Sequence, residues 1–91
     1  MKTNEVVARV YCFVSLKGMG GSREFYKTTS LDPDNCMQRE REVSNVTPHT
    51  REVYATAMGL TVEQFDLPLP DFLTTLKTHL EAHSAHEETT R

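Results

Sequence analysis

The sequence predicts a single small α+β domain, in which an N-terminal β-hairpin packs against two to four helices. Three observations carry this. The run EVVARVYCFVSL from Glu5 to Leu16 is apolar at every even position, from Val6, Ala8 and Val10 to Cys12, Val14 and Leu16, the period of a strand with one buried face. Next comes Lys17-Gly18-Met19-Gly20-Gly21-Ser22, whose three glycines suit the positive φ of a chain reversal. Beyond Asp32 the chain repeats a helix-start signal, a capping side chain followed by proline.

The first strand is expected over about 5–16 and its partner over about 23–29. The odd positions of the first strand, including Arg9, Tyr11 and Phe13, are mixed in character, so its second face is only partly covered. Met19 stands at the tip of the expected hairpin turn, an adaptable apolar contact between glycines. Asp32-Pro33 opens a helix expected over about 33–43, poor in apolar residues and charged along Gln38-Arg39-Glu40-Arg41-Glu42. Thr47-Pro48 opens the next, about 48–58, which Gly59 ends. Thr61 and Gln64 form a capping box for a short helix over about 62–66. In Leu67-Pro68-Leu69-Pro70 the two prolines lack donors and push the preceding leucines toward extended geometry. Asp71 then caps a final amphipathic helix over about 71–85, with Phe72, Leu73, Leu76 and Leu80 as its apolar stripe. The domain spans 1–86, and 87–91 reads as a frayed polar tail.

Composition narrows the function. A chain of 91 residues supports one modest core. Its net charge of −3, with basic residues scattered, argues against a nucleic-acid surface, which needs clustered Lys and Arg. No stretch approaches the apolar length of a membrane span, and the start lacks the pattern of a secretion signal, so a reducing cytoplasm is expected for Cys12 and Cys36. A disulfide between them remains the alternative.

Chemistry is sparse. His49 is the one candidate base for a cysteine nucleophile outside the C-terminal segment. Cys12 falls on the apolar face of the expected strand. Asp32 and Asp34 oppose the helix dipole that would activate Cys36. His79, His83 and His86 share a helix face that could bind a metal, but no further ligand is fixed elsewhere. The expectation is a non-enzymatic protein with no catalytic residue, no metal and no cofactor. Ala55, Gly59, Leu60 and Phe65 have helix-turn-helix spacing. The following segment, however, exposes Thr61, Glu63, Gln64 and Asp66 and meets Pro68, which suits a DNA-reading helix poorly.

The run REVYATAMGLTVEQFDLPLPDFLTTLKTHLEA, residues 51 to 82, resembles the C-terminal half of the small E-type tail assembly chaperones of long-tailed phages. The resemblance rests on Gly59-Leu60-Thr61-Val62-Glu63, Leu67-Pro68-Leu69-Pro70 and Asp71-Phe72-Leu73. It implies a protein of the host cytoplasm that keeps a long tape-measure-type client soluble while the tail polymerises, self-associating to cover its length. Residues expected to contact protein are Tyr11, Phe13 and Met19, with Phe72, Leu76 and Leu80, the last three also reading as plain core. Two alternatives stay open. One is a small acidic inhibitor, of the anti-defence or immunity kind, using Asp32, Asp34, Glu40 and Glu42. The other is a helix-turn-helix regulator.

Overall fold

The expected β-hairpin does not form. The computed structural model describes the backbone of residues 1–89 and the side chains of residues 1–82. Among the described residues the elements are helices α1 (Thr3–Lys17), α2 (Ser22–Tyr26), α3 (Pro33–Arg39), α4 (Pro48–Met58), α5 (Val62–Phe65) and α6 (Leu69–Thr89), with no strand or sheet. The side chains of the expected polar tail, 87–91, lie outside the described residues.

The first expected strand is α1 because the apolar residues obey the helical period as well as the alternating one. Val6, Val10, Phe13 and Val14 lie at i, i+4, i+7 and i+8, and all four are buried. The helix carries Ala8, Cys12 and Leu16, the rest of the even set, round to half-buried or exposed flanks. Glu5 bonds back to the Lys2 amide at 2.8 Å at the start of α1. At its end Gly18 takes a left-handed conformation (φ 72°), and the amides of Gly18 and Met19 donate to Ser15 O and Val14 O. The glycine segment is therefore a helix stop. The expected second strand is α2, whose last carbonyls, on Phe25 and Tyr26, accept from the hydroxyls of Thr28 and Thr29 at 2.6 and 2.7 Å.

Asp32 caps α3 as its sequence predicts, accepting from the Asp34 amide at 3.2 Å. The helix stops at Arg39, short of the expected 43, since Cys36 is its only buried residue and the charged segment beyond has no apolar residue to bury before Val43, which is itself exposed. Tight turns carry the chain to Glu42. Residues 44–46 then run beside the chain start, with Thr3 N–H donating to Ser44 O and Val46 N–H to Met1 O, both at 2.9 Å. Thr47 caps α4, and Thr61 with Gln64 forms the expected box on α5. Helix α6 starts at Leu69, ahead of the expected 71, because Pro70 falls in the first turn where no amide is needed. Asp71 therefore sits inside that turn, facing the helix dipole, and Phe72 N–H donates to Pro68 O at 2.8 Å.

Helix α1 is the centre of the molecule, packed on α6, α2 and α4. On one side Phe13, Phe25, Tyr26 and Tyr54 form a cluster of rings with centroids 5.4–5.8 Å apart. On the other, Phe65 and Phe72 meet edge to face at 5.9 Å above Leu76. Arg9, only 5% exposed, ties α1 to the Leu-Pro link. Its guanidinium donates to Phe65 O at 2.9 Å, Leu67 O at 2.7 Å and Glu5 O at 2.8 Å, and lies 5.4 Å from the Phe72 ring centroid. Burial lowers its pKa from the ordinary arginine value, while Glu5 and Asp66 oppose that shift. Asp66 itself is held at 2.6 Å by Arg51.

Gly59 is required where it stands. Its φ is +79°, and a Cβ there would come within 2.7 Å of His79 Nε2 on α6. Gly59→Ala is expected to lower stability by about 1–2 kcal/mol from the left-handed backbone alone, with a further loss from the contact. Urea denaturation of Gly59→Ala with and without His79→Ala checks this, because the second change removes only the steric part.

Candidate functional site

The residues expected to contact protein separate into two groups. Phe13, Phe72 and Leu76 are 4%, 0% and 0% exposed, so they build the core and offer no surface to a partner. They are buried because they lie on the faces that the packed helices turn toward the core. Tyr11 is exposed, and its hydroxyl donates to Glu40 Oε1 at 3.4 Å. Met19 and Leu80 are half-buried at the edge of the core.

Leu80 is a ridge between two shallow hollows where α6 crosses the end of α1. Leu16, Lys77 and Glu81 line one, and Met19, Ala57, Met58 and Lys17 are among the walls of the other. Leu16, 41% exposed, belongs to this surface although the alternating pattern placed it inward. The helical period, which separates it from Val6, Val10 and Val14, is the signal that finds it. Lys17 and Lys77 make no ion pair among the described residues, and with Glu81 they put charges of both signs on the rim.

Another cavity, about 360 Å³, lies elsewhere, between the first turns of α1 and α4, the end of α3 and the loop 40–47. Tyr26, Tyr54, Cys36, Leu31 and Val6 are among its inner walls. The Tyr26 hydroxyl donates to Glu40 Oε2 at 2.6 Å. Burial pushes the Tyr26 phenol far above its ordinary value, and the bond to Glu40 adds to the shift. Tyr54 is raised by burial too, and then by its hydrogen bond with the Cys36 thiol. Both phenols therefore stay neutral donors at any physiological pH.

Cys12 and Cys36 are free thiols. Cys36 and His49 reach the same cavity, but no hydrogen bond joins them among the described residues. Those residues also contain no cluster of three metal-ligating side chains. The His83 and His86 side chains lie outside them, so the three-histidine face does too.

Most of the acidic residues considered for an inhibitor are committed internally. Asp32 caps α3, Asp34 pairs with Arg23 at 2.6 Å, and Glu40 accepts from two tyrosines. The helix-turn-helix spacing yields an α5 of only 4 residues, in which Thr61 and Gln64 satisfy the cap, followed by Asp66 bound to Arg51. Among the described residues no helix is long and apolar enough to cross a membrane. No protein-family model, curated protein or solved structure matches this chain.

Proposed function

We propose that the protein is non-enzymatic and works by holding an amphipathic helix of a protein partner against the Leu80 ridge. The observation that carries this reading is the apolar surface made by exposed Leu16 and half-buried Met19, Ala57 and Leu80, rimmed by Lys17, Lys77 and Glu81. Such a surface suits a helix with an apolar stripe and polar flanks. The resemblance of residues 51 to 82 to phage tail assembly chaperones makes a tape-measure-type client, met in the host cytoplasm, the specific form of the proposal.

Co-expression with a tape-measure-type client, followed by affinity capture, tests it. Leu80→Glu is expected to weaken capture by about tenfold or more, the loss of one central apolar anchor. Val43→Glu, at a side chain 93% exposed and outside both hollows, is expected to leave capture unchanged. Capture by folded Leu80→Glu at the unmodified level would sink the assignment of this ridge.

A further inference from the structure

We infer that the outer seam between α1 and α6 seats a second copy of this chain, the two related by a two-fold axis that lays α1 antiparallel on α1 about Cys12. Of the 12 residues from Glu5 to Leu16, 9 are apolar, yet among those only Val6, Val10, Phe13 and Val14 are buried. A helix apolar over so much of its circumference is normally covered on more than one side. Val7 lines the cavity and Tyr11 bonds to Glu40. That leaves Ala8, Cys12 and Leu16, which stand one above another at i, i+4 and i+8, off the core face. Helix α6 continues the surface. Arg9 lies against Phe72 near the start of α6, and Leu16 shares a hollow with Lys77 and Leu80 further along, so the two helices run parallel. Leu73 and Leu69 come one and two turns before Lys77 on the same flank, Leu69 being 40% exposed.

The order of side-chain sizes along α1 selects the occupant. Ala8 is small, Leu16 is large and Cys12 lies between them. Antiparallel pairing about Cys12 sets each Ala8 against Leu16 of the other copy and fills the space evenly. Parallel pairing stacks leucine on leucine and leaves a void at Ala8. Since α1 and α6 are parallel within one copy their dipoles reinforce each other, and an antiparallel second copy opposes them. Lys77 and Glu81, one turn apart at the rim, offer both signs of charge, as a surface that meets itself requires. The area sets the strength. With 15 residues α1 is about 22 Å long, and two adjacent helices are about 20 Å wide, so the face offers roughly 400 Å² per copy, about half a standard interface. Pairing is therefore expected at roughly tens to hundreds of micromolar. Met19 and Ala57, beyond Leu80, lie outside the seam, so this inference stands apart from the client reading.

Sedimentation of the full chain, with no client present, from about 10 μM to about 1 mM reads the pairing. The average mass is expected to rise from one copy toward two across that range. Ala8→Arg and Leu16→Arg, the latter at a side chain 41% exposed, are each expected to move the midpoint up by about tenfold or more, with circular dichroism checking that both fold. Val43→Glu, outside the seam, is expected to leave it unchanged. Cross-linking reads the direction. In a Cys12→Ser background the remaining native thiol is Cys36, 2% exposed. There an equimolar mixture of Ala8→Cys and Leu16→Cys chains is expected to form the mixed disulfide under copper-phenanthroline oxidation. Either variant alone should form little, because its like positions lie about 12 Å apart along the helices, beyond disulfide reach. The proposal is overturned if the chain stays monomeric at about 1 mM, if folded Ala8→Arg and Leu16→Arg pair as the parent does, or if Ala8→Cys alone cross-links as readily as the mixture.

Discussion

Arg9→Ala is expected to lower the unfolding free energy by roughly 3–5 kcal/mol, since hydrogen bonds from a charged donor are worth about 1.5–3 kcal/mol each and add incompletely. The guanidinium is the shared partner of three backbone carbonyls, two of them at the end of α5 and in the link that follows. Alanine leaves those oxygens facing an apolar gap between Phe65 and Phe72. Arg9→Met separates the contributions, because it fills much of the volume while supplying no donor. Arg9→Lys keeps the charge, but a single ammonium cannot reproduce a fork that reaches both Phe65 O and Leu67 O. The expected order of stability is parent, lysine, methionine, alanine, read from urea midpoints at constant m. Equal midpoints for parent and Arg9→Met would show that the carbonyl contacts contribute nothing net.

The same residue explains part of what the sequence hid. Arg9 in the middle of an apolar run looks like a solvent-facing strand position, and only the location of the α5 terminus reveals its acceptors, 56 and 58 residues away. Long-range pairs of this kind leave no local trace. The confusion over residues 5–16 had a local remedy, however. A run of that length exceeds the usual strand of about 4–8 residues, and Gly18 just after Lys17 is a helix-stop signal. Helices α4 and α5 were legible because their limits rest on side chains that bond within three residues: Thr47 to Thr50, Thr61 to Gln64. The link was read less well, since proline tolerates both extended geometry and a first helical turn, and packing of Phe72 decides between them. The site was less legible than the fold. Leu80 and Met19 could be named from the sequence, whereas the cavity assembles residues from Thr3 to Tyr54 that only the tertiary arrangement brings together.

Phe25→Ala is expected to cost about 3–5 kcal/mol, a large part of the 5–15 kcal/mol typical of a whole domain. Phe25 is fully buried and meets Phe13, Tyr26 and Tyr54 at 5.4, 5.8 and 5.7 Å, each edge to face. Its helix, α2, has 5 residues, far below the length at which a helix supports itself in water. Packing of Phe25 and Tyr26 therefore holds α2 in place, and α2 in turn positions the Tyr26 hydroxyl against Glu40. Alanine at 25 should thus do more than open a void. It should free α2 and weaken the near-ultraviolet dichroism of the tyrosines. Phe25→Leu keeps most of the volume and loses the edge contacts, so its cost should stay below about 1.5 kcal/mol with α2 intact. If Phe25→Ala instead loses stability while the tyrosine signals stay unchanged, α2 is anchored by its hydroxyl-capped C-terminal turn, at Thr28 and Thr29, rather than by its ring.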